Sequence, residues 1–399
     1  MNGRKIRVLV VDDSAIVRKV LTEAIASEPD MEVVATAPDA YVARDKVLAL
    51  RPDVITLDIE MPRMDGLTFL RQLMFLNPIP TLVVSSQGQA SCAATFEALR
   101  CGAVDVVAKP ATPQALRDLR LTLAEKIRAA ATAHPRPATD LPANPRGQQK
   151  DAGTTNQRVA RGEGPAYSPR RSLVERPASR RDLGGELLPP FAGFTSFSGS
   201  LIAIGASTGG TVAIQEILTR LPADMPPIVI TQHIPPGFTS AFAERLNRIC
   251  ALDVREATSG DILRPGLALL APGDHHLVLR EGSGGHFVEL DRGPEVCYLR
   301  PSVDVMFFSV AESAAAPSAI AVLLTGMGAD GARGMLALKN SGAATIAQDE
   351  ASSVVYGMPR EAVRIGAAET VVALSAIPAL LTRLTRAQKP ESTLQETSA

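Results

Sequence analysis
The chain has 399 residues, with 41 Lys+Arg against 42 Asp+Glu and a formal net charge of −1 at pH 7. That balance gives no reason to expect nucleic acid or an acidic surface as partner, and the length suits two domains of ordinary size plus a linker. No run of eighteen apolar residues occurs, so no transmembrane helix and no membrane insertion are expected. The apolar run near the N-terminus is short and ends in Asp12-Asp13, which is not a secretory signal. Cys92, Cys101, Cys250 and Cys297 lack C-x-x-C spacing, so zinc and disulfides are not expected and free thiols in a cytoplasmic protein are. Tryptophan is absent and the aromatics are few, which leaves Leu, Ile, Val and Ala to build the cores.

Residues 1–128 alternate short β-branched runs with helical patterns. The runs are Ile6–Val11, Glu32–Ala37, Val54–Leu57, Thr81–Val84 and Val104–Ala108, with a last helix expected from about Pro113 to Arg128. Five βα units of this length predict a doubly wound parallel sheet, whose chemistry lies beyond the carboxyl ends of its strands. Those ends carry Asp12 and Asp13, then Asp58, Ser85 and Lys109. Three converging carboxylates repel unless a hard divalent cation sits among them, and Mg2+ with oxygen ligands fits. One carboxylate can accept a phosphoryl group as an acyl phosphate, a lysine can supply the counter-charge and a serine hydroxyl can bind a phosphoryl oxygen. Five such residues at five strand ends point to a site rather than to solvated loops.

The pieces V-L-V-V-D-D-S, L-D-I-E-M-P-R-M-D-G, V-V-S-S and V-V-A-K-P give residues 6–128 a resemblance to response-regulator receiver domains. The resemblance implies Asp58 as phospho-acceptor, with Asp12, Asp13, Asp58 and the Glu60 backbone carbonyl around Mg2+. It also implies that Ser85 and Lys109 contact the phosphoryl group and that a cis peptide precedes Pro110. Val106 stands where receivers usually carry an aromatic, so the switch is expected to use loops rather than a side-chain flip there.

From 129 to 198 the apolar periodicity vanishes. Pro, Arg, Gly, Ser and Thr dominate, and basic residues outnumber acidic ones, with Arg158, Arg161, Arg170, Arg171, Arg176, Arg180 and Arg181 late in the stretch. Such composition cannot bury enough surface to offset the entropy of ordering, so a mostly disordered, flexible linker is expected. Leu187–Phe197, with three phenylalanines, is the part expected to dock on a domain. Residues 387–399 are expected as a flexible tail.

Residues 199–386 repeat the alternation. Strand-like runs are Leu201–Gly205, Ile228–His233, Leu267–Ala271, His276–Leu279, Ala319–Thr325 and Ala344–Gln348, and helices are expected at 212–221, 238–250, 302–315, 331–341 and 375–386. A second doubly wound α/β domain with a mainly parallel sheet is predicted, with a hairpin inserted around 267–290. Its first strand runs into G-A-S-T-G-G, which sets Ser207 on a glycine-flanked turn before a helix, a suitable place for a nucleophile. Of five histidines, His233 ends the neighbouring strand and is the best general base, whereas His275 and His276 suit structural roles and His286 an exposed turn. Asp330, in T-G-M-G-A-D-G, can accept from the His233 ring and orient it. Backbone N–H groups at Thr208 and in the Gly326–Gly328 turn are candidates for an oxyanion hole. A dinucleotide site is disfavoured, because the G-x-G-x-x-G spacing is missing and Gln232-His233 stands where a ribose-binding acid belongs.

Residues 200–375 resemble the catalytic domain of the CheB family of chemotaxis methylesterases, through I-G-A-S-T-G-G, Q-H-I-P-P-G-F-T, L-A-P-G-D-H-H, L-T-G-M-G-A-D-G and S-S-V-V-Y-G-M-P. The resemblance implies hydrolysis of glutamyl methyl esters on methyl-accepting chemotaxis receptors and deamidation of selected receptor glutamines. It places Ser207, His233 and Asp330 in a triad and the Met327 N–H in the oxyanion hole, with Thr208 as an active-site neighbour. A histidine kinase is the implied phosphodonor, and Mg2+ is implied for phosphorylation only, with no cofactor for the esterase step. The unphosphorylated receiver is expected to cover the active site.

Overall fold
The computed structural model describes residues 4–86, 88–109, 113–133 and 201–386. In the first region strands and helices alternate as β1 Ile6–Val11, α1 Ala15–Ala26, β2 Met31–Ala37, α2 Ala40–Leu50, β3 Val54–Asp58, α3 Gly66–Leu76, β4 Thr81–Ser85, α4 Gln89–Arg100, β5 Asp105–Ala108 and α5 Pro113–Thr132. The strands form one sheet in the order β2-β1-β3-β4-β5, every pair parallel. Residues 8–11 of β1 and all of β3 and β4 are buried, as strands covered on both faces must be, which is why they read as unbroken apolar runs. Side-chain caps start the helices: Ser14 accepts from the Val17 N–H, Asp39 from Tyr41 and Val42, and Asp65 from Thr68.

Helix α5 continues past residue 128, the expected end of the first domain. Ile127, Ala129, Ala130 and Ala133 are buried in the receiver core, so apolar packing carries the helix into what composition assigned to the linker. Most of that linker (134–198), the 387–399 tail and Pro110 lie outside the described residues.

The second region runs β6 Leu201–Ala206, α6 Gly210–Leu218, β7 Ile228–Gln232, α7 Phe238–Ile249, β8 Asp253–Glu256, β9 Leu267–Leu270, β10 His276–Gly282, β11 Gly285–Asp291, α8 Val303–Ala311, β12 Ala319–Leu323, α9 Ala332–Asn340, β13 Ala344–Gln348, α10 Met358–Arg364, β14 Thr370–Val372 and α11 Ile377–Arg386. Seven strands make a wholly parallel sheet in the order β14-β13-β12-β6-β7-β9-β8. The hairpin is narrower than expected. Leu267–Leu270 pairs parallel with β7 inside the main sheet, and only β10 and β11 form the antiparallel ribbon. The difference is legible afterwards, since L-A-L-L is wholly buried while the far ends of β10 and β11 are polar and exposed. The two edge strands β8 and β14 escape a pattern reading because they span four and three residues and are only partly buried.

Strand β6 lies between β12 and β7. The turns that follow these three strands therefore meet at one sheet edge, and they carry Asp330, Ser207 and His233. The two regions pack as one compact unit. Helix α4 rests on α6 and α7, with Phe96 stacked on Phe242 at 5.1 Å between ring centroids and the Cys92 thiol donating to the Gly237 carbonyl. Val355 of the second region joins the core cluster of the first, and Met327 and Val354 pack against it. Among the described residues no helix is long and apolar enough to cross a membrane, and none of the four cysteines is in a disulfide.

Candidate active site
The acidic site forms as the strand ends predict. Ligand oxygens of Asp12, Asp13 and Asp58 lie within 4.8 Å of one another. The Lys109 ammonium stands 2.7 Å from Asp58 Oδ2 and 3.2 Å from Asp12 Oδ2. Asp12 Oδ2 is nonetheless buried without a hydrogen-bond partner among the described residues beyond this ion pair. Burial pushes the Asp12 and Asp58 carboxyls above their ordinary value, although Lys109 pulls both back. For Lys109 burial works against the ammonium and the two aspartates outweigh it, so its pKa is raised. One lysine does not balance three carboxylates. An unbonded buried carboxylate oxygen beside two others is a hard-oxygen donor set, and it fits Mg2+. The Glu60 carboxylate accepts from the Ser91 hydroxyl at the start of α4.

Ser85 ends β4, and its carbonyl accepts from the Lys109 N–H at 2.8 Å. Its Oγ accepts from the Thr95 hydroxyl of α4 at 2.9 Å, and Thr95 also reaches the Ser91 carbonyl at 2.8 Å. A hydroxyl has one proton, so Thr95 serves one of these acceptors at a time.

In the second region His233 Nε2 lies 2.8 Å from Asp330 Oδ2, with both side chains almost wholly buried. Asp330 is held from three further directions. The Ser302 hydroxyl donates to it at 2.8 Å, the Val303 N–H at 2.6 Å and the Asp304 N–H at 3.0 Å. These donors are the N-cap and first turn of α8, where partial positive charge favours a carboxylate. Burial alone raises the Asp330 carboxyl, but the His233 bond and these donors outweigh it and hold it below the ordinary value. His233 thus meets Asp330 through Nε2, and its Nδ1 has no hydrogen-bond partner among the described residues.

The nucleophile turn is tied to its neighbours by backbone bonds. Ser207 N–H donates to the Thr325 carbonyl at 3.0 Å, and the Gln232 amide bridges the Ser207 and His233 carbonyls at 2.8 and 3.2 Å. The Thr325 hydroxyl is within bonding distance of the Thr208 and Val355 carbonyls. Gly326 permits this approach, since a Cβ there would stand 2.6 Å from the Ser207 Cβ and 2.3 Å from the Met358 sulfur. The Gly326 N–H is committed to the Val355 carbonyl, whereas those of Met327 and Thr208 have no acceptor among the described residues. Within the Gly326–Gly328 turn the Met327 N–H is thus available to a further acceptor and that of Gly326 is not.

Ser207, Thr208, His233, Met327 and Asp330 line one cavity of about 480 Å3. Part of its wall comes from the first region, namely Thr122, Glu125, Lys126 and Ala129 of α5. Thr208 donates to Asp105 Oδ2 at 2.7 Å, and Lys126 pairs with the other oxygen of that carboxylate at 2.8 Å. The active-site threonine is thereby bonded directly to the receiver.

Gln232, Ser302, Thr325 and Asp105 are site residues that the sequence reading did not pick out. Only Ser302 carried a local signal, as a serine just before an apolar helical run. His276 is structural as expected, its Nδ1 accepting from the Ser302 N–H and its Nε2 facing the Pro294 carbonyl. His275 accepts from Arg292, and His286 lies in β11 facing Glu281 rather than in a turn.

Comparison with known proteins shows the family of the chain. Residues 202–381 match the family CheB methylesterase, and residues 8–120 match the response regulator receiver domain. The chain is 47% identical over 382 residues to a protein-glutamate methylesterase/protein-glutamine glutaminase of Syntrophus aciditrophicus, covering 95% of this chain and 99% of that protein. It is 46% identical to the Salmonella typhi protein of the same name, covering 94% and 95%. Among solved structures it is similar to the Thermotoga maritima CheB methylesterase catalytic domain, at 40% identity and TM-score 0.46, over 47% of this chain and 99% of that one.

Proposed function
Because the chain belongs to the CheB methylesterase family, with a receiver domain at its front, we propose that it demethylates glutamyl methyl esters on methyl-accepting chemotaxis receptors in the cytoplasm and deamidates specific receptor glutamines. The observation that carries this reading is the buried His233–Asp330 pair, 2.8 Å apart, opening on the same cavity as Ser207. Ser207 Oγ attacks the ester carbonyl while His233 Nδ1 takes its proton, and Asp330 steadies the imidazolium that forms. The Met327 and Thr208 N–H groups face the oxygen that gains charge. Methanol leaves with the proton from His233, or ammonia in the glutaminase reaction. Water then attacks the acyl-serine with His233 as base, which releases glutamate and restores Ser207.

In the same reading a histidine kinase supplies the phosphoryl group and Asp58 accepts it. Mg2+, when bound by Asp12, Asp13, Asp58 and the Glu60 carbonyl, neutralises charge on the transferring oxygens. Lys109 and Ser85 then hold the phosphoryl oxygens. Ser85 accepts from the Thr95 hydroxyl and still has its own proton for a phosphoryl oxygen, and Thr95 sits one residue before Phe96, which stacks on α7. This gives α4 a part in lifting the receiver from the cavity, in addition to the loops that the sequence favoured. Asp105 bonded to Thr208 and α5 over the pocket are the closed state of that switch.

The test is methanol release from methylated receptor membranes, with and without a small phosphodonor. Release that rises with the phosphodonor is expected, and Ser207→Ala lowers it by about 10^5-fold while leaving the fold and Asp58 phosphorylation intact. Undiminished release from that variant removes Ser207 from the mechanism.

A further inference from the structure
The wall of the active-site cavity contains a turn that the triad chemistry does not use. Val296 and Leu299 pair as a two-residue hairpin, with Val296 N–H to Leu299 O at 3.1 Å and the reverse bond at 3.0 Å. Between them Cys297 and Tyr298 both lie in the left-handed region, at φ 53° and 62°. Two consecutive left-handed residues are what a tight hairpin of this type demands, and Asn-Gly meets that demand with least strain. A bulky tyrosine meets it badly. Packing does not compensate, because Tyr298 is 81% exposed even with the receiver in place.

The surroundings hold the strain in. Arg300 donates twice to Asp274 Oδ1, at 3.0 and 2.6 Å, and once to the Gly293 carbonyl at 2.9 Å. His276 bridges the Pro294 carbonyl and the Ser302 N–H, and Ser302 is the residue that donates to Asp330. A strained residue kept in place by clamps on both sides, at the rim of a reactive pocket, is strain retained for a purpose outside the folded chain.

The occupant follows from which parts of the wall can leave. Thr122, Glu125, Lys126 and Ala129 belong to the receiver and leave the wall when the receiver lifts in the switch proposed above. The 296–299 turn belongs to the catalytic region and remains. Tyr298 is then a large, exposed aromatic surface on the cavity that Ser207 also lines, of the kind that anchors protein contacts. We propose that Tyr298 is a substrate-positioning and specificity residue, whose ring packs on the backbone and aliphatic side chains adjoining the esterified glutamate of the receptor. The proposal rests on the methylesterase reading above and adds to it how the polypeptide, rather than the ester, is held.

Full-length wild type, Tyr298→Gly and Tyr298→Phe are compared in saturation curves of methanol release from methylated receptor membranes with phosphodonor, alongside melting temperature. Glycine relaxes the turn and removes the ring. For Tyr298→Gly the expected results are a melting temperature unchanged or raised by about 2 °C, a KM raised about fivefold or more, and a kcat within about twofold. Tyr298→Phe keeps the wild-type KM. An unchanged KM in Tyr298→Gly overturns the proposal, and so does a fall in kcat at constant KM. Absence of methanol release from the wild type overturns the methylesterase reading itself. A binding readout separates the two: Ser207→Ala sediments with methylated receptor membranes, and adding Tyr298→Gly weakens that co-sedimentation about fivefold. Equal co-sedimentation of the two variants also overturns the proposal.

Discussion

Both sites lie beyond the carboxyl edge of a parallel sheet, yet they treat buried carboxylates in opposite ways. In the receiver, burial raises Asp12 and Asp58, and among the described residues Asp12 Oδ2 has only the Lys109 ion pair. In the catalytic region burial acts on Asp330 as well, but His233, Ser302 and the start of α8 supply four donors and lower it. The first arrangement is incomplete by itself and gains from a cation or a phosphoryl group. The second is complete by itself, so the histidine is oriented before any substrate arrives. A switch needs the first kind of site and a preorganised catalyst the second.

The largest effect expected from breaking this contrast is on the complete site. Asp330→Asn keeps the shape but no longer stabilises the His233 imidazolium or fixes its tautomer, and methanol turnover should fall about 10^4-fold. A loss of only a few fold removes Asp330 from the orienting role. Next comes the incomplete site: Asp58→Asn should abolish stimulation by a phosphodonor while basal release stays, and a variant still stimulated moves the phospho-acceptor elsewhere.

The link between the sites is a smaller lever. Thr95→Val removes the hydroxyl that joins Ser85 to α4 at nearly constant volume, and should change the ratio of stimulated to basal release about fivefold, with Asp58 phosphorylation unaffected. An unchanged ratio assigns Thr95 to packing alone. The smallest effect concerns stability. A carboxyl raised in the folded state favours folding when protonated, and that advantage is lost as pH rises through its folded pKa. Asp12→Asn should therefore raise the melting temperature by about 2 °C at neutral pH without Mg2+, with the gain shrinking on addition of Mg2+ and vanishing toward pH 4. The sign is opposite for Asp330, whose stabilisation is present above its unfolded pKa and is lost as pH falls through its depressed one. A destabilised Asp12→Asn at neutral pH shows instead that the Lys109 pairing dominates that corner.

Local pattern carried much of this protein. The βα alternation, the glycine-flanked serine turn and the acidic and basic residues at strand ends are short-range signals, since strand and helix periods and turn chemistry act over a few residues. So the residues that the structure gathers, Asp58 with Lys109 and His233 with Asp330 on the cavity that Ser207 also lines, could be listed as candidates from the chain. Short edge strands were missed because three or four half-exposed residues carry too little pattern, and α5 outran its expected end because packing on the receiver core outweighed composition.

Only the tertiary structure decided which imidazole nitrogen faces Asp330, and that the start of α8 supplies its other donors. It alone set Thr208 on Asp105, 103 residues away, joined Ser85 to Thr95, and put a strained Tyr298 on the rim of the cavity. These facts depend on which strands are neighbours and on how two regions pack. No local period encodes that, because such contacts form only once the apolar faces of both sheets have been buried.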